Sequence, residues 1–190
     1  MNAISGVTYE EYSEGLRFRE TQKFRQPLLW VMLIAVTGIS ILVAALQAGA
    51  GIPAGNHPAP ESVLILIVVI FGIFLPLFFY LLAFTIEIKN DGIYYRFYPI
   101  QFSFRHIEWT ELNCAESVTY RPLAEYGGWG IRYGRNGMAY NVSGSEGVRL
   151  VKKSGKQLLL GSQQAGELAR AIHKTGNIPE SGDKGIVYRT

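Results

Sequence analysis

Two long stretches without a single charge dominate the hydrophobic pattern of this chain. No Asp, Glu, Lys or Arg lies between Gln26 and Pro60, and after Glu61 the next charge is Glu87. Inside the first gap Leu28–Ala48 reads LLWVMLIAVTGISILVAALQA, 21 residues, and the second, Ser62–Ile86, supplies 25. About 20 apolar residues cross a hydrocarbon core, so each run predicts a membrane span. The two form a hairpin over 27–86, with spans at about 28–48 and 62–86. Trp30 suits an interface position, and Pro76 with Gly72 predicts a kink. The 27 residues before the first run include four Glu. That prefix is too long and too acidic for a cleaved signal peptide. Ser40, Ala44 and Ala48 recur at four-residue spacing, which suits close approach of the second span or of another copy.

From Phe84 the apolar period shortens towards that of strands. FTIEIKN and IYYRFYP flank Asn90-Asp91-Gly92, a hairpin signal because these residues tolerate positive φ. FSFRHI, CAESVTYRP, GWGIRYG, MAYNVS, GVRLVKK and KQLLLGS follow, divided by turn signals at Pro99, Gly127-Gly128, Arg135-Asn136-Gly137, Gly144 and Ser154-Gly155. Seven or eight short strands predict an antiparallel sandwich or barrel. Ala165, Leu168, Ala169 and Ile172 then fall at helical spacing, with Ser162 as the expected N-cap of a helix over 163–174. Ahead of the first span, Tyr9–Gln26 suits an interfacial helix whose basic groups reach phosphates. The alternative is a strand added to the sheet. The resulting division is a juxtamembrane segment (1–26), the hairpin (27–86), a β-domain (87–175) and a loosely ordered tail (176–190) in which Ile186-Val187-Tyr188 suits docking.

Composition sharpens this picture. Hydrophobic residues make up 48% and charged residues only 17%, against roughly 25% charged in soluble domains. An ordinary soluble enzyme and a disordered chain are both excluded. Arg17, Arg19, Lys23 and Arg25 precede the first span, Lys89, Arg96 and Arg105 follow the second, and the connecting loop has none. Retention of positive residues places both termini in the cytoplasm. The net charge of +3 is compatible with an anionic membrane surface and too diffuse for nucleic acid.

The strand run closed by one amphipathic helix has the plan of a pleckstrin-homology-like (PH-like) domain. The likeness is carried by Glu125-Tyr126-Gly127-Gly128-Trp129-Gly130-Ile131-Arg132, Ala139-Tyr140-Asn141-Val142-Ser143-Gly144, Gly147-Val148-Arg149-Leu150 and Leu160-Gly161-Ser162-Gln163. With two preceding spans, the chain resembles a largely uncharacterised family of bacterial membrane proteins with a cytoplasmic PH-like domain. The resemblance implies a membrane-anchored α+β fold: a two-helix transmembrane hairpin followed by an antiparallel β-sandwich or barrel of about seven strands closed by a C-terminal α-helix. It brings no catalytic residues.

The residues themselves point to binding more than to catalysis. Gly127-Gly128-Trp129-Gly130 leads into a strand, not a helix, so it is no dinucleotide fingerprint. Cys114 is the only cysteine, and His57, His106 and His173 stand far apart. No metal site, cofactor or nucleophile–base pair follows. Arg forks and aromatic edges at Arg121, Tyr126, Trp129, Arg132, Tyr140 and Asn141 suit an anionic or peptide ligand. Lys89, Arg96 and Arg105 suit lipid headgroups. The expectation is a non-enzymatic interaction module at the inner (plasma) membrane, contacting the bilayer and another membrane or membrane-associated protein, with homo-oligomers allowed. The alternative is an accessory subunit of a larger membrane complex.

Overall fold

The computed structural model describes residues 15–52, 59–134 and 137–180. The start of the Tyr9–Gln26 segment, most of the loop joining the two apolar runs and the Ile186–Tyr188 motif lie outside them. The chain divides into a helical unit, Lys23–Leu82, and a β-domain built from the residues up to Gln22 together with those from Ala83 onward.

The helical unit consists of α1 (Pro27–Gly49) and α2 (Glu61–Leu81), each long and apolar enough to cross a membrane. Only Leu33, Ser40 and Leu64 are buried along them. The second helix is shorter than the apolar run because the chain becomes a strand at Ala83, so Thr85 and Ile86 are sheet residues. Around the expected kink, α2 passes through a π-helical stretch, Val68–Phe74. The Leu75 N–H bonds the Ile70 carbonyl there, one residue beyond the α-helical partner. That shift releases the Phe71 carbonyl, which accepts a 3.0 Å bond from Thr37 Oγ1 on α1. A polar tie between the helices thus uses a group that a regular helix would have satisfied internally.

The β-domain is α+β, with nine strands among the described residues in two open sheets. The first sheet has the order β1-β2-β3-β4: β1 is Phe18–Lys23, β2 Ala83–Lys89, β3 Gly92–Tyr98 and β4 Arg105–Glu108. The second has the order β5-β8-β9-β7-β6: β5 is Leu112–Thr119, β6 Gly130–Gly134, β7 Gly137–Asn141, β8 Glu146–Lys152 and β9 Gln157–Gly161. A short helix, α3 (Pro122–Tyr126), precedes β6, and α4 (Ala165–Gly176) ends the domain. Three expectations change. The N-terminal segment is a strand where it is described, not an interfacial helix. One pair, β7 with β9, is parallel, with Tyr140 opposite Leu160. The domain starts at Ala83, and Glu87 lies inside β2.

Phe84 of β2 stacks on Phe97 of β3 and on Tyr140 of β7, so the core sits where the two sheets face each other. Tyr95 meets Tyr140 edge-on, and burial pushes its hydroxyl pKa up to about 12. The predicted stripe Ala165, Leu168, Ala169 and Ile172 is buried, with α4 packed on β5, β8 and β2. Gln164 is the N-cap of α4. Ser162 acts two residues earlier: its Oγ accepts from the Gln164 N–H at 3.0 Å while donating to Glu20 of β1. The Glu20 carboxylate also accepts the Gln163 N–H at 2.8 Å. This buried acid therefore takes up backbone and hydroxyl donors just before the helix, which explains its tolerance inside the domain. Beyond α4, the Ala115 N–H bonds the Pro179 carbonyl, so residues up to Glu180 dock on β5.

Candidate functional site

The aromatic and basic side chains singled out by sequence are positioned by the bend between α3 and β6. Pro122 starts α3, and Gly127 ends it at φ +71°, a left-handed conformation that favours glycine. The Gly127 N–H bonds the Leu123 carbonyl and the Gly128 N–H bonds that of Pro122. Past this cap, the Trp129 indole N–H donates to the Gly144 carbonyl at 3.1 Å, fastening the bend to the β7–β8 turn. Arg132 Nε donates to the Trp129 carbonyl at 3.0 Å, which ties the guanidinium to the backbone of the bend.

Beneath this surface lies a buried relay. Asn141 accepts the Gly130 N–H on Oδ1 at 2.9 Å and donates from Nδ2 to the Tyr120 hydroxyl at 3.1 Å. Tyr126 packs edge-on against Tyr120. Burial raises the pKa of both phenols, opposed at Tyr120 by the Asn141 hydrogen bond and at Tyr126 by the Arg149 charge. The six candidate residues therefore divide. Tyr126, Tyr140 and Asn141 are buried and cannot touch a macromolecular partner; they support the surface from below. Arg121, Trp129 and Arg132 are exposed. Two further exposed residues flank the same bend in the chain and are not flagged by composition alone: Leu123 on α3 at 68% and Tyr133 on β6 at 82% exposure. Leu123 has a legible signal, a large apolar residue in a Pro-initiated turn between strands.

The second group, Lys89, Arg96 and Arg105, does not form one cluster. Lys89 lies at the β2–β3 turn, opposite Gly92. Its ammonium sits 3.6 Å from the buried Glu87 carboxylate and over the Tyr94 ring. Tyr94 in turn stacks on His106. Arg96 stands near the other end of the sheet, opposite Thr85, with its guanidinium over the Phe104 ring at 4.4 Å. Arg105 is paired in register with Tyr95.

Chemically, the α3–β6 surface offers an aromatic face, an aliphatic contact and cationic forks, which suit docking. Among the described residues no group of three or more His, Cys, Asp or Glu could hold a metal ion. Residues 9–177 match a family of unknown function, DUF6141. The chain belongs to that family. The DUF6141 match includes both apolar helices, both sheets and α4, so the helical unit and the β-domain fall within one family region. No curated protein and no solved structure matches the chain.

Proposed function

We propose that this DUF6141 protein is a non-enzymatic, membrane-anchored interaction module, with a PH-like β-domain held at the inner face of a bacterial plasma membrane by a two-helix transmembrane hairpin. The observation carrying this reading is the set of exposed side chains around the capped α3–β6 bend, Leu123, Trp129, Arg132 and Tyr133. Large aromatic and apolar side chains on a well-packed support lose little conformational entropy on binding. Anchoring also raises their effective concentration near membrane partners.

The membrane part of the reading is supported by the helices themselves. Their apolar faces are turned outward, unlike core helices of a soluble protein. At the β-domain ends of the helices Lys23 lies over the Tyr80 ring at 5.7 Å, and the Trp30 indole donates to the Phe24 carbonyl at 2.9 Å. Aromatic residues with a cation are what an interface selects. Both termini face the cytoplasm on the Lys and Arg asymmetry. The partner is another membrane or membrane-associated protein.

Arg132→Ala tests the surface. The variant removes cationic donors at an exposed position, so it should keep the wild-type melting curve and lose cross-linked partners in native membranes. Partners recovered unchanged, or an unfolded variant, make the surface structural. Cross-links concentrated on α1 and α2 instead favour an assembly subunit.

A further inference from the structure

We infer that the loop joining β3 to β4, residues 99–104, is a lipid-inserting edge of the β-domain, with Ile100 and Phe102 entering the acyl boundary of the anchoring membrane. This rests on the membrane reading above and adds a second, independent contact with the bilayer.

The loop is built to hold two apolar side chains outward. Ile100 is 54% and Phe102 75% exposed, while Gln101 between them turns inward. The Gln101 N–H bonds the Phe97 carbonyl at 2.8 Å. Its side chain accepts the Phe97 N–H and donates to the buried Tyr140 hydroxyl, each at 3.2 Å. Arg96 braces the outer side, with Nη1 on the Phe102 carbonyl at 3.2 Å and the guanidinium over Phe104. A segment pinned this firmly cannot fold Ile100 and Phe102 away from water by itself. Exposed apolar side chains on a fixed support mark a surface meant to be covered.

Chain connectivity says what covers it. Ala83 lies opposite Tyr98 in the β2–β3 register, so the loop begins at the end of the sheet where β2 starts. Only Leu82 separates Ala83 from the last residue of α2, which limits that Cα–Cα span to about 7 Å. The first strand leaves from the same end. Arg17 N–H bonds the Ile88 carbonyl and Thr21 lies beside Thr85, so β1 and β2 run in opposite directions. Three residues then connect β1 to α1, a reach of at most about 14 Å from Lys23 to Pro27. The chain thus enters the loop's end of the sheet from α2 through Leu82 alone, and leaves that end for α1 through residues 24–26. Arg105, exposed at the start of β4, adds positive charge that complements anionic headgroups.

The test uses the full chain with Cys114 replaced by Ala, reconstituted in phosphatidylethanolamine–phosphatidylglycerol vesicles. An environment-sensitive fluorophore is attached at Ile100→Cys, at Phe102→Cys, at Asp91→Cys on the opposite turn, and at Ile39→Cys in α1. Nitroxide-labelled lipids serve as quenchers. Labels at 100 and 102 should be blue-shifted and quenched several-fold more than the label at 91, with the label at 39 quenched by deep nitroxides. Because Phe102→Cys removes a ring contact with Tyr98, the label at 100 must agree. Labels at 100 and 102 that behave like 91, with 39 quenched, overturn the loop and leave the anchor standing. An unquenched label at 39 overturns both. A blue shift at 100 and 102 without lipid quenching means that protein covers the loop, which also overturns the inference.

Discussion

Isoleucine has opposite fates in the two units. On the helices, Ile34, Ile39, Ile65 and Ile73 are 58–67% exposed, whereas Ile86, Ile88, Ile93 and Ile107 in the strands are 0–1% exposed. The β-domain removes its apolar side chains from water by packing them on one another, so its stability is internal. The helices bury few of theirs, which is the exposure that the proposed membrane hairpin requires. The same side chain thus belongs to a finished core in one unit and to an outward apolar face in the other. Ile100 and Phe102 on the β3–β4 loop, with Leu123 and Tyr133 around the α3–β6 bend, are exceptions inside the β-domain, exposed like the side chains of the helices.

The strongest probe of this contrast is a charge placed in each unit. Leu168 is fully buried on α4. Leu168→Asp leaves a cavity and an unpaired carboxylate, costing at least about 3–5 kcal/mol out of a typical domain stability of about 5–15 kcal/mol. The cooperative melt of the β-domain should move sharply down or vanish. A wild-type melt means α4 is not docked as described.

Ile39→Asp asks the matching question of α1. Position 39 is exposed, so in water the change costs less than about 0.5 kcal/mol. In a membrane the penalty at a helix centre is about 2.5–3.5 kcal/mol. The expected result is a large fall in the fraction of chains integrated in an insertion assay. Undiminished insertion would break the comparison at its root.

Polar groups sharpen it further. Asn141→Ala strips partners from the Gly130 N–H and the Tyr120 hydroxyl, and a buried group left unsatisfied costs about 1–3 kcal/mol. Chemical denaturation should show a loss in that range and a loosened Trp129 bend. In the helical unit Ser40 Oγ donates only to the Val36 carbonyl one turn back, a group already placed to accept an intrahelical bond. Ser40→Ala should therefore change little.

Much of this contrast is legible in the sequence, because hydrophobic period and charge spacing are local properties. The apolar runs mark both helices, the Asn90-Asp91-Gly92 turn marks the β2–β3 hairpin, and Leu168 with Ile172 marks the buried stripe of α4. Less legible is whatever depends on a distant partner. FRETQK in β1 carries little apolar pattern, because Glu20 and Gln22 are buried through bonds to Ser162, Gln163 and Gly161. The parallel β7–β9 pairing depends on strand order, which no local turn encodes. The end of α2 is hidden for another reason: Leu82–Ile86 is as apolar as the helix before it, since β2 enters the core on leaving it. For the candidate site, aromatic content locates the bend but not the depth of each ring. Tyr140 and Asn141 are held inside by the facing sheet and by Gly130, while Tyr133 lies at the outer end of an edge strand.

The smallest expected effect concerns the water-facing surface of the β-domain, where electrostatics should be weak and screened. Lys152 Nζ lies 3.0 Å from Glu111 Oε2, with both side chains partly exposed. The Lys152 hydrogen bond is the main influence holding the Glu111 pKa below its usual 4.5. A carboxylate with a depressed folded-state pKa stabilises the fold above its unfolded value, and that contribution is lost as pH falls through the folded one. The pair should therefore add nothing to pH dependence near neutrality and a shallow loss of stability below about pH 4.5. An exposed pair contributes about 0–1 kcal/mol and is screened by salt. Glu111→Gln should flatten the acid limb of the stability profile slightly at low ionic strength and leave it unchanged at high salt. A large effect that survives high salt would mean this surface is shielded from water, and the contrast between the two units would then lose its solvent-exposed member.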